Sequence, residues 1–318
     1  MSVTLTKIEM DILSRGISVG NEVLYTLCKD YPLLKENNPK DMYEERKLQG
    51  LAAELWLIGR SYAASPERRD YGEKVEWTNS GNGLDTYFDL LADKLWNDGY
   101  YDKLKTIVEN LENLGKYKLD QSFEENDKQI LVSVIANVLK FNALLKEIRF
   151  AVDEKELSNH VGDNKEKLEV LKNNQKNMLS FSSKFLHFHF PDVVFIFDTI
   201  TKEHFKGPRE KHHFKFENTE KENCIVESDI TLSKDEINTL ISEIRKIKYN
   251  DYNDASIEIE KYDKSEEYIT HCVREYLLAR EIKKASPKIF DGEDIYIPRL
   301  IDTYMLMINP KTKKKNKK

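Results

Sequence analysis

Along most of this chain apolar side chains recur every three or four positions, and that period restricts the fold to one built mainly from helices. Leu84, Tyr87, Phe88, Leu91 and Leu95 form one stripe, Leu104, Ile107, Val108, Leu111 and Leu114 a second, and Ile130, Leu131, Val134, Ile135 and Val138 a third. Ser233 and Glu236 have capping-box spacing, so Ile237, Leu240, Ile241, Ile244 and Ile247 behind them predict a helix with a defined start. Ile269, Cys272, Val273, Tyr276 and Leu277 make a further stripe, and Leu300, Ile301, Tyr304, Met305 and Ile308 follow Pro298. No fixed-period repeat accompanies these stripes, which argues against a solenoid.

A chain of 318 residues can bury a sizeable core, either as one unit over residues 1–310 or as two helical subdomains. Its 50 basic and 56 acidic side chains give a net charge of −6. Residues 311–318 hold six lysines and are expected to form a disordered tail; the rest carries 44 basic against 56 acidic groups, or −12. A uniformly basic nucleic-acid coat is thereby excluded. Cys28, Cys224 and Cys272 lie far apart without a CxxC pair, which fits a reducing cytoplasm. Lys7, Glu9, Asp11 and Arg15 break up the first twenty residues, so no signal peptide is expected there. The strongest apolar runs, Val193 to Phe197 and Tyr304 to Ile308, are far below the roughly 20 residues of a membrane span. No membrane partner is implied.

Three breaks interrupt the helical pattern. Asn79 to Gly83 and Lys206 to Lys215 read as exposed loops, and Tyr249 to Lys264 is polar and acidic. The wider span Glu217 to Glu267 contains 15 acidic and 7 basic residues and is expected to be an insertion with a solvated face.

The stretch from Ser180 to Thr201 is the most unusual. A Ser-rich turn at Ser180, Ser182 and Ser183 is expected to lead into Lys184; an aromatic helix follows, Pro191 ends it, and a buried apolar run delivers Asp198. Burial disfavours the charged forms of lysine and aspartate unless they find partners, so such a pair suits a nucleophilic amine beside a carboxylate. His187 and His189 form an HxH pair with no cysteine or carboxylate close by in sequence, which predicts a hydrogen-bonded helix face and no metal.

This order of turn, lysine, helix, proline, apolar run and aspartate resembles the helix-hairpin-helix DNA glycosylase superfamily, in particular its 8-oxoguanine-glycosylase-like branch. Ser180 to Asp192, with Leu55 to Arg69 and the blocks Thr270-His271-Cys272 and Pro298 to Asp302, is more closely similar to a bacterial family of antiphage glycosylases. One member of that family removes glucosylated hydroxymethylcytosine from T-even phage DNA. The matching blocks cover about a third of the chain, spread from residue 51 to 308. Ser180-Phe181-Ser182 stands where the superfamily's hairpin usually reads Gly-hydrophobic-Gly, and the interval from Lys184 to Asp198 is several residues shorter than in the oxoguanine enzymes.

The resemblance implies a mostly α, helix-hairpin-helix glycosylase-like architecture and an enzyme that flips a modified base from double-stranded phage DNA, leaving an abasic site. Asp198 would stabilise the oxocarbenium-like sugar or align a water. Lys184 would either attack C1′ to form a Schiff base or only position phosphate and carboxylate. Two other readings stay open: a repair glycosylase for an oxidised purine such as 8-oxoguanine, and a noncatalytic DNA-binding subunit of a defence complex. Ser180, Ser182 and Ser183 are candidate phosphate contacts, joined by the basic segment after Asp198 with Lys202, Lys206, Arg209, Lys211 and His212; residues 199–216 carry a local charge of +3. Arg60, Tyr62 and His187 are candidates for the base or sugar pocket. No phosphate-binding loop or dinucleotide fingerprint appears, so no cofactor is expected. Oligomeric state is not legible in the sequence.

Overall fold

The apolar stripes become helices in the computed structural model, which describes residues 5–6, 19–34, 41–61, 71–72, 75, 84–96, 99–115, 125–198, 211–218, 224–246, 249–251, 254–257, 262, 265–285, 298 and 301. Nine helices account for most of these residues: α1 (Val19–Asp30), α2 (Asp41–Ser61), α3 (Leu84–Trp96), α4 (Tyr100–Gly115), α5 (Glu125–Val161), α6 (Lys165–Asn173), α7 (Leu179–His189), α8 (Lys234–Lys246) and α9 (Ser265–Ala285). The described part of the protein is therefore mostly α. Tyr87, Phe88, Leu91 and Leu95 are buried on α3, and Leu104, Ile107, Val108 and Leu111 on α4. The last apolar stripe, the Asn79 to Gly83 loop and the Lys-rich tail lie outside the described residues, apart from Pro298 and a fully buried Ile301.

The chain divides into two compact units interleaved along the sequence. One comprises Leu24–Asn110 and Asn137–His189. Here α2 packs against both α3 and α7. Gly50 permits a close approach on α2, because a Cβ there would stand 2.5 Å from the Tyr31 ring. Gly162, at φ +63°, ends α5 in the left-handed conformation, and its N–H returns to the Ser158 carbonyl at 2.9 Å. Asn164 then caps α6 by accepting from the Lys167 N–H at 2.9 Å. Buried polar side chains pin the interior. Asp153 accepts from the Tyr71 hydroxyl at 2.7 Å and the Tyr87 hydroxyl at 3.4 Å, and the guanidinium of Arg149 lies over the Tyr71 ring at 5.6 Å.

The other unit comprises Met1–Val23, Leu111–Ala136 and Phe190–Lys318, and it holds all the described strands. β2 (Lys211–Asn218) pairs antiparallel with β3 (Cys224–Thr231) and parallel with β1 (Leu5–Thr6), while β4 (Tyr249–Asp251) pairs with β5 (Asp254–Ile257). The expected loop from Lys206 to Lys215 thus ends in a strand. Phenylalanines at Phe214 and Phe216 alternate with Lys215 and Glu217, a period of two that the basic charge concealed.

The acidic span is likewise more than a solvated insertion. Glu236 N–H meets the Ser233 hydroxyl at 3.4 Å, as the capping-box spacing predicts, and α8 buries Ile237, Leu240, Ile241 and Ile244 while packing against α9. Each such burial contributes roughly 1.5–3 kcal/mol. Three of its acidic groups form ion pairs: Glu236 with Arg280 at 2.6 Å, Glu266 with Arg245 at 2.8 Å and Glu243 with Lys128 at 3.1 Å.

Within α5, Asp127–Val161 is long and apolar enough to cross a membrane by length and composition. Of its apolar window, however, 78% is buried inside the protein, which fits a core helix. Ser133, Asn137, Lys140 and Asn142 interrupt the apolar residues of this stretch, so no unbroken run shows in the sequence.

Candidate functional site

Asn177 sets the start of α7, accepting from the Leu179 N–H at 2.8 Å. Ser180, Ser182 and Ser183 therefore lie inside a helix and do not form the expected turn. The Ser182 hydroxyl donates to the Met178 carbonyl at 3.0 Å and that of Ser183 to the Ser180 carbonyl at 3.2 Å. Hydroxyls that return to their own helix need no other partner, which lets both serines be fully buried. Three serines within four residues favour a loop in the sequence, but the Asn177 cap two residues before Leu179 places them in the helix.

Lys184 is 1% exposed, and its ammonium donates to the Ser180 hydroxyl one turn earlier at 3.2 Å. Phe185 stacks on Phe141 with ring centroids 5.1 Å apart, fixing the helix against α5. His187 is fully buried and shares a 2.8 Å hydrogen bond with the Tyr25 hydroxyl, so its ring forms part of the core. His189, at the end of α7, meets the Glu54 carboxylate at 3.1 Å.

Cys28 lies near this pair, and its sulfur, a Glu54 oxygen and a His189 ring nitrogen all fall within 4.8 Å of one another. Burial, and then the Glu54 charge, push the Cys28 thiol far up from its ordinary value. Glu54 is also raised by burial, against an opposing pull from His189. Sequence reading missed both partners because they lie on α1 and α2. A signal was present: Leu51, Leu55 and Ile58 define the buried face of α2, and Glu54 falls on that face. Trp56, next to Leu55, is 38% exposed, while Leu55 is fully buried.

In the other unit, Pro191 follows the end of α7 and the backbone turns, with the Val193 and Val194 N–H groups returning to the Phe190 carbonyl at 3.3 and 3.1 Å. The run Val193 to Phe197 is buried but belongs to no described sheet. Its carbonyls need donors, because unsatisfied buried carbonyls are costly. α9 supplies them: the Tyr268 hydroxyl donates to the Phe195 carbonyl at 3.1 Å, and His271 Nε2 donates to the Ile196 carbonyl at 2.8 Å. The Phe197 ring meets Tyr268 and His271 edge-on at 5.8 and 5.2 Å. Asp198 follows, half-buried, at the end of this pinned segment.

Among the other candidates, Arg60 is exposed in the last turn of α2. Lys211 and His212 have their backbone in β2, while Tyr62, Lys202, Lys206 and Arg209 lie outside the described residues. The structure thus gathers Ser180, Ser182, Ser183, Lys184 and His187 on one helix, and places Asp198 in the other unit.

No protein-family model, curated protein or solved structure matches the chain.

Proposed function

We propose that this protein is a DNA N-glycosylase that hydrolyses the bond between deoxyribose and a flipped, modified base. The observation that carries the reading is Asp198: a half-buried residue at the end of a buried run whose carbonyls at Phe195 and Ile196 are held by Tyr268 and His271. A glycosylase needs a carboxylate fixed against the developing positive charge at C1′, and a pinned backbone provides that preorganisation. In the reaction a water oxygen bonds to C1′, the N-glycosidic bond breaks, and its electron pair leaves with the base. Asp198 orients the water and accepts its proton, which passes on to the departing base.

Lys184 precedes this carboxylate by fourteen residues. Its burial within α7 and its bond to Ser180 suit a role in holding local structure. Direct hydrolysis is therefore favoured over a Schiff-base lyase route. The substrate proposed is glucosylated hydroxymethylcytosine in phage DNA, on the strength of the motif resemblance, and the basic residues Lys202, Lys206, Arg209 and Lys211 are proposed to contact phosphates. The test is incubation with duplexes containing cytosine, hydroxymethylcytosine, glucosylated hydroxymethylcytosine or 8-oxoguanine, followed by alkali cleavage. Cleavage of the glucosylated duplex supports this reading, and cleavage of the oxoguanine duplex alone replaces it with repair.

A further inference from the structure

We propose that Cys28, Glu54 and His189 form a binding site for a zinc ion that ties α1, α2 and the end of α7 together. The three residues supply one sulfur, one carboxylate oxygen and one imidazole nitrogen, the donor types that a borderline-soft dication selects.

Their spacing suits a shared ion. Bonds of about 2.0–2.3 Å to one tetrahedral metal place donors roughly 3.3–3.7 Å apart. The Glu54 to His189 separation is 3.1 Å and no pair of donors exceeds 4.8 Å, so small side-chain movements close the set.

Electrostatics also calls for a cation. Cys28 is 4% exposed, Glu54 0%, and the His189 side chain 4%. One Glu54 oxygen meets His189, and the other, Oε1, is buried with no hydrogen-bond partner. A carboxylate so placed is costly unless it is paired or coordinates a metal. A dication bound by a thiolate, a carboxylate and a neutral imidazole gives a net charge of zero in that interior. Three protein ligands leave the fourth tetrahedral position for a water.

The sequence expectation of no metal rested on the absence of a cysteine or carboxylate near the HxH pair. That premise fails, because the fold brings Glu54 to His189 across 135 residues and Cys28 from still farther along the chain. The inference is independent of base excision, and its test reads no enzymatic activity.

The experiment uses the full chain, stripped with a chelator and titrated with Zn²⁺ and with Co²⁺. One equivalent of Zn²⁺ is expected to bind and raise the thermal midpoint, and Co²⁺ is expected to produce a thiolate-to-cobalt charge-transfer band in the near ultraviolet. Cys28→Ser abolishes that band and Cys272→Ser preserves it. Glu54→Gln and His189→Gln each weaken Zn²⁺ binding by at least roughly 10-fold. Should Cys28→Ser not fold, the wild-type band and the Glu54→Gln affinity decide the matter. Absence of the band from the wild type, its survival in folded Cys28→Ser, or unchanged affinity in Glu54→Gln overturns the proposal.

Discussion

His271 Nε2 donates a 2.8 Å hydrogen bond to the carbonyl of Ile196, two residues before Asp198. A side chain on α9 thereby satisfies a backbone that no described strand reaches, and it fixes the approach to the carboxylate proposed to act at C1′. His271→Ala is expected to lower the rate of base release while leaving DNA affinity unchanged, since the lost bond positions Asp198 and touches no DNA. Single-turnover rates and filter binding measured side by side check this. Equal rates in variant and wild type would refute the positioning role.

Tyr268→Phe removes the donor to Phe195 and leaves a buried carbonyl without that bond. The expected loss of stability is about 1–3 kcal/mol, read from urea denaturation midpoints. A variant as stable as the wild type would mean that the Tyr268 bond adds nothing to the hold that His271 and the apolar contacts keep on the run.

The helices were largely legible in the sequence because their stripes are long and each side chain reports on its own neighbours three and four positions away. Ser233 and Glu236 even marked the start of α8. Two features were hidden for a shared reason: they depend on residues distant in sequence. The partners of His189 come from α1 and α2, and the carbonyls of Phe195 and Ile196 are satisfied from α9. The turn assigned to Ser180 through Ser183 failed differently. Serine favours loops only when its hydroxyl competes with the helix for backbone partners, and here Ser182 and Ser183 return theirs to the same helix.

Lys184→Met is expected to cost about 1–3 kcal/mol of stability, read from urea denaturation midpoints, because it removes the buried ammonium's bond to the Ser180 hydroxyl. Borohydride treatment of wild-type enzyme on substrate DNA should trap no covalent complex. A trapped adduct that disappears in Lys184→Met would instead assign the lysine as nucleophile and restore the lyase route.

Burial first, and the neighbouring Asp153 charge second, push the Tyr71 phenol well above its ordinary value of 10. The unfolded chain therefore releases this proton before the folded one does, so stability is retained below pH 10 and falls as pH rises above it. Tyr71→Phe is expected to cost about 1–3 kcal/mol at neutral pH, through the lost bond to Asp153, and to flatten the alkaline decline. Urea denaturation at neutral and alkaline pH compares the two slopes. Identical slopes would show that Tyr71 ionises alike in both states.

Replacing Lys206, Arg209 and Lys211 together with alanine is expected to weaken DNA binding and to reduce the dependence of log Kd on log salt by up to roughly 2.7. Titrations at several salt concentrations measure this. An unchanged slope would remove the basic segment from the DNA contact.

The most direct measurement is the single-turnover rate of base release from a duplex carrying glucosylated hydroxymethylcytosine, compared between wild type and Asp198→Asn. The wild type is expected to generate alkali-labile sites at the modified base, and Asp198→Asn to slow that release by roughly 10²–10⁴-fold while still binding the duplex. A wild type that releases no base from this or the other modified duplexes, or an Asp198→Asn variant that works at the wild-type rate, would contradict the account.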